Sequence, residues 1–102
     1  MTTNLLSVDF EVFGTVQRVF FRKFTQEQGK LLGLRGWCKN TTAGTVIGTF
    51  EGPSDKVETM KKWLQTVGSP ASRIDRVEFT SEKIINDYTF TDFDVIRKKL
   101  IV

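Results

Sequence analysis

The stretch Phe13-Gly14-Thr15-Val16-Gln17-Arg18-Val19-Phe20-Phe21-Arg22 joins two different periodicities. Ahead of it, Val8-Asp9-Phe10-Glu11-Val12-Phe13 alternates in character, the pattern of a strand with Val8, Phe10 and Val12 on one face. Beyond it, a helical pattern begins at about Phe20 or Phe21. Gly14, between the two, suits an unusual backbone turn. A strand that runs through a short loop into a helix leaves the first N–H groups of that helix without internal partners. Those donors, and the positive end of the helix dipole, attract an anion. Arg22 falls in the first helical turn, where the dipole disfavours a cation, and its guanidinium fork matches phosphate or carboxylate oxygens. Two readings stand: an anion site closed by Arg22, or an ordinary solvated helix residue. Neither a P-loop nor a G-x-G-x-x-G pattern is present to decide between them.

Outward from that junction, the spacing predicts a helix over 20–32, with Phe21, Phe24, Gln28, Leu31 and Leu32 near one face. Gly33 is placed to end it in a left-handed conformation. Residues 34–41 alternate as a strand, with Leu34, Gly36, Cys38 and Asn40 on one face and Arg35, Trp37, Lys39 and Thr41 on the other. Thr42-Ala43-Gly44 turns the chain into a strand over 45–51. Gly52-Pro53-Ser54 punctuates, and a second helix from near Asp55 carries the inward stripe Val57, Met60, Leu64 and Val67. Gly68-Ser69-Pro70 stops it. A fourth strand over 73–81 turns Val77 and Phe79 inward, 82–87 reads as a polar connection, and 88–96 as a short extra strand anchored by Phe90 and Phe93.

The order β-α-β-β-α-β is the ferredoxin-like α+β plan, with both helices expected on one face of an antiparallel sheet. Residues 1–102 read as one domain, with its core at about 8–95 and tails at 1–6 and 97–102. In this plan the first strand and the hairpin are central neighbours, so Asn40, near the end of the second strand, is brought toward the loop after the first. A carboxamide donates and accepts hydrogen bonds without charge, and so can hold a water beside an anion. Asn40 equally suits the start of a polar hairpin.

Composition narrows the chemistry. The 102 residues contain no histidine and one cysteine, which removes a His general base, a Ser-His-Asp or Cys-His pair, and His- or Cys-rich metal sites. Nine Phe and two Trp give a small chain large apolar surfaces to bury. The net charge of +3 permits an anionic small molecule or nucleic acid. However, Arg97-Lys98-Lys99 supplies much of it, and Lys98 and Lys99 read as a solvated tail, which weakens the case for a nucleic-acid face. Met1-Thr2-Thr3-Asn4-Leu5-Leu6 has no basic or apolar signal region, and no run approaches the roughly 18 apolar residues of a membrane span. With a lone cysteine, a cytoplasmic location is expected.

Several blocks together resemble the acylphosphatase family: Gly14-Thr15-Val16-Gln17-Arg18-Val19-Phe20-Phe21-Arg22, Gly36-Trp37-Cys38-Lys39-Asn40-Thr41, Gly44-Thr45-Val46-Ile47-Gly48, Gly52-Pro53, and Gly68-Ser69-Pro70 followed by Ser72-Arg73-Ile74-Asp75. The resemblance runs from about Val8 to Val95. It implies a small hydrolase that splits the carboxyl-phosphate bond of acyl phosphates into carboxylate and inorganic phosphate, with no metal or cofactor. Nothing in the sequence argues against a monomer. It also implies that Arg22 binds the phosphate and Asn40 orients the attacking water. Gly14, Thr15, Val16, Gln17, Arg18, Val19 and Phe20 would form the phosphate loop, with Thr41 as support for Asn40. The sequence departs from the family at Arg18, where glycine is usual, and in running on past Phe93-Asp94-Val95. The alternatives are a family member with activity impaired by Arg18, or a non-catalytic ferredoxin-like module that binds an anion or RNA. The strands lack the RNP1 pattern that RNA binding on such a sheet uses. Cys38 reads as a small buried hydrophobe, Trp37 as packing, and Asp9 and Glu11 as outward-facing carboxylates without an acid–base task.

Overall fold

The computed structural model describes residues 4–97, which form β1 (Leu5–Thr15), α1 (Phe21–Leu31), β2 (Arg35–Asn40), β3 (Val46–Pro53), α2 (Ser54–Thr66), β4 (Arg73–Ile85) and β5 (Phe93–Ile96). Lys98 and Lys99 lie outside the described residues. The strands make one sheet in the order β4-β1-β3-β2-β5, in which β1 is antiparallel to both β3 and β4, and β2 is antiparallel to β3. β5 adds to the far edge parallel to β2, pairing Phe93 with Gly36. This is the ferredoxin-like α+β arrangement with a short extra strand.

Val8, Phe10 and Val12 of β1 are fully or almost fully buried, as their alternation requires. α1 packs over β2 and β5, α2 over β1, β3 and β4. The helices meet at Phe21 and Trp63, whose ring centroids are 6.1 Å apart. α1 ends in a Schellman motif: the N–H of Gly33 donates to Lys30 O and that of Leu34 to Gly29 O, with Gly33 at φ 73°.

The extra strand expected over 88–96 is confined to β5, so Phe90 lies in the connection before it, and three further details depart from the expected pattern. The buried face of α1 is Phe21, Thr25 and Gly29, while Leu31 is 80% exposed. The helix approaches β5 so closely that a Cβ on Gly29 would enter the Phe93 ring. Thr25 is tolerated inside because its hydroxyl donates to Phe21 O at 2.7 Å. Secondly, Val67 lies past the last turn of α2 and is 60% exposed, not part of its stripe. Thirdly, the polar 82–85 segment is strand: β4 continues to Ile85 against Leu5–Val8, and Lys61 of α2 pairs with Glu82. Irregularities between Asp9 and Phe10, and between Phe13 and Gly14, shift the β1–β4 register. The second shift brings Ile74 to the core together with Val77 and Phe79, against strict alternation.

The segment between β4 and β5 is held by a buried carboxylate. Glu51 Oε1 accepts the backbone N–H groups of Thr89 and Phe90 at 2.6 and 2.8 Å. Arg35 stacks 3.8 Å from the Tyr88 ring centroid and donates to Phe90 O. Replacement E51A leaves two amides without their acceptor and is expected to cost about 2–3 kcal/mol in urea unfolding, with E51Q recovering most of it. Equal stability of E51A and parent would show that the carboxylate holds nothing. G29A gains about 1 kcal/mol of helix propensity and loses roughly 1–3 kcal/mol to overpacking against Phe93. The expected net is a lower urea midpoint, and a higher one would show that Phe93 yields.

Candidate active site

The loop between β1 and α1 contains two non-glycine residues in the left-handed region, Arg18 at φ 64° and Phe20 at φ 59°. Each costs of order 1 kcal/mol or more. Val19 between them is not left-handed. Alternation of this kind turns successive N–H groups toward one side and makes an anion-binding concavity. α1 then starts without a side-chain cap and with no acidic residue in its first turn. Among the described residues, the N–H groups of 18–23 donate to no protein acceptor.

These donors border a cleft of about 270 Å³ lined by Val16, Arg18, Phe20, Phe21, Arg22, Lys23, Asn40, Val95 and Arg97. Four of these side chains are cationic and none is a carboxylate. None of the four takes part in an ion pair among the described residues. Arg22 is oriented from below, because its Nη1 donates to the Ile96 carbonyl of β5 at 3.3 Å. Asn40 closes β2, paired with Val46 of β3. Its Oδ1 is buried and accepts from no protein donor among the described residues. A buried acceptor in that condition calls for a partner that the protein itself does not supply.

The structure therefore brings together Arg22, Asn40, Val16, Arg18 and Phe20. Gly14, Thr15, Gln17, Val19 and Thr41 are not among the residues that line the cleft. Gly14, at φ 133°, lies where a Cβ would collide with the backbone of Arg73 on β4. Gln17 turns toward the hairpin, and its Nε2 donates to Thr41 O at 2.8 Å and Thr45 O at 2.9 Å. The Thr41 and Thr45 hydroxyls are 2.7 Å apart, and Thr45 Oγ1 donates to Glu11 Oε2 at 2.6 Å. This network ties the loop to the turn next to Asn40, so Thr41 and Glu11 support the region from outside the cleft.

Lys23, Val95 and Arg97 also line the cleft, and the sequence pattern did not single them out for it. Val95 was visible as a strand residue, but nothing local shows that β5 pairs beside β2. Cys38 lies beneath the cleft, with its Sγ donating to Arg22 O at 3.7 Å. Burial pushes the thiol up to about 12, against the opposing pull of the Arg22 charge. No group of three or more His, Cys, Asp or Glu that could hold a metal ion occurs among the described residues. No helix there is long and apolar enough to cross a membrane.

A family model described as Acylphosphatase matches residues 8–95. The chain belongs to the acylphosphatase family. It is 54% identical over 94 residues to Acylphosphatase-1 of Mus musculus, covering 92% of this chain and 95% of the relative. To Acylphosphatase-2 of the same species it is 55% identical over 95 residues, covering 93% and 90%. The fold superposes on the structure of an acylphosphatase from Coxiella burnetii with a TM-score of 0.80 at 30% identity, covering 91% of this chain and 94% of the other. The enzyme class is accordingly that of the acylphosphatases, which are hydrolases. Cys38 is buried and not among the residues that line the cleft. A thiol raised to about 12 is protonated throughout the neutral range. Native protein at pH 7–8 is expected to resist a thiol-reactive disulfide reagent until denaturant is added. Rapid labelling of the folded protein would contradict this.

Proposed function

We propose that this cleft hydrolyses the carboxyl-phosphate bond of acyl phosphates, with the phosphate held by loop 14–20 and Arg22 and the water oriented by Asn40. The observation that carries the reading is the run of unpartnered N–H donors at 18–23, beside a cleft lined by Arg22 and by Asn40, whose buried Oδ1 has no protein partner among the described residues. The loop amides and the guanidinium supply donors to the phosphoryl oxygens, where charge is spread in the transition state. Asn40 Oδ1 accepts a hydrogen bond from a water and aims its oxygen at phosphorus. A new bond forms from that oxygen to phosphorus as the bond from phosphorus to the acyl oxygen breaks. The carboxylate leaves with the electron pair, and the proton of the water passes to a phosphate oxygen.

No side-chain base is required on this path, in keeping with a chain that has no histidine. The carboxylate is a good leaving group, so positioning and charge stabilisation carry the rate. We read the protein as acting as a monomer. The single free, buried cysteine suits the reducing cytoplasm. We read the reaction as metal-independent.

Hydrolysis of benzoyl phosphate in excess chelator tests this directly. The parent is expected to turn over, and N40A to lose about 10²–10³ in kcat while inorganic phosphate still binds it. R22A is expected to lose phosphate binding itself. If both variants matched the parent, the assignment of the cleft would be wrong.

A further inference from the structure

Resting on that reading, the cleft has an inside and an outside. Its inner wall is Val16 and Phe21, each 1% exposed, together with the buried Asn40 Oδ1, and Arg22 is fixed there by Ile96 O. Its rim is Arg18, Phe20, Lys23 and Arg97, all exposed, Phe20 to 72%, and of these cations Arg18 alone belongs to the loop between β1 and α1. A phosphate gripped by the inner groups directs the acyl half of the substrate outward, past that rim. The phosphoryl group already has Arg22 and a row of amides as donors. Arg18 is a further guanidinium, left without a carboxylate partner among the described residues and held at φ 64° where an arginine is strained.

We propose that the Arg18 side chain selects the acyl half of the substrate, favouring acyl phosphates whose acyl group carries a second negative charge. A guanidinium at the rim meets a carboxylate or phosphate on the acyl chain by a charge-assisted hydrogen bond. It adds nothing comparable for an uncharged chain. The rim is solvated, so the preference weakens as salt rises. Arg18 is on this account a specificity residue, separate from the backbone N–H that its position contributes to the loop.

The test compares kcat/KM for succinyl phosphate and butyryl phosphate, which have four-carbon acyl chains and differ by one carboxylate. The quantity read is their ratio within each protein, so any effect of a variant on turnover common to both substrates cancels. In the parent the ratio is expected to favour succinyl phosphate at low salt and to fall with added salt. R18G and R18Q are expected to lower it by about two- to fivefold, and R18K to retain most of it. Glycine accepts φ 64° without strain, so R18G is expected to fold and to melt no lower than the parent. A ratio equal in parent, R18G and R18Q, with both substrates turned over, would overturn the selection by Arg18 and leave the hydrolase reading intact. Failure of the parent to hydrolyse either substrate would overturn both.

Discussion

Pairing of β1 along both of its edges is the constraint on which the rest depends. β3 and β4 occupy its two sides, so β1 can neither slide nor flip without exposing Val8, Phe10 and Val12. Its C-terminal end then delivers the loop that follows to a fixed place. The hairpin partner β3 carries β2 beside it, and the last residue of β2 is Asn40. Arg22 arrives from the other side of the loop, in the first turn of α1. Two side chains 18 positions apart in the sequence are thus brought to one cleft by sheet register. The polar network from Gln17 through Thr41 and Thr45 to Glu11 locks the loop to the hairpin.

The sequence made the strand–loop–helix junction, the β2–β3 hairpin and the element order legible, because each depends on local periodicity and turn chemistry. Arg22 and Asn40 were legible as a pair only once topology set the end of β2 near the loop. The less readable features have non-local causes. The interior face of α1 is built on Thr25 and Gly29, one a satisfied hydroxyl and the other an absence of side chain, and a count of apolar residues misses both. The 82–85 segment became strand because β1 starts at Leu5 and offers it a backbone ladder. β5 is parallel to β2, and parallel pairing leaves no turn signal between the partners. Lys23 and Arg97 carry no local signal of their place at the cleft, which is set by where α1 starts and where β5 ends.

The hydrogen bond from Arg22 to Ile96 spans 74 positions of the chain. The β2–β5 pairing, which sets Ile96 opposite Lys39, already closes that long loop and brings the carbonyl within reach of the guanidinium. Until β5 has docked, the guanidinium lacks its carbonyl tether, and the cleft lacks Val95 and Arg97. A chain emerging from a ribosome can form the β1–α1 junction and the β2–β3 hairpin well before it has the tethered site. On the proposed reading, the cleft is fully lined only once β5 has docked beside β2.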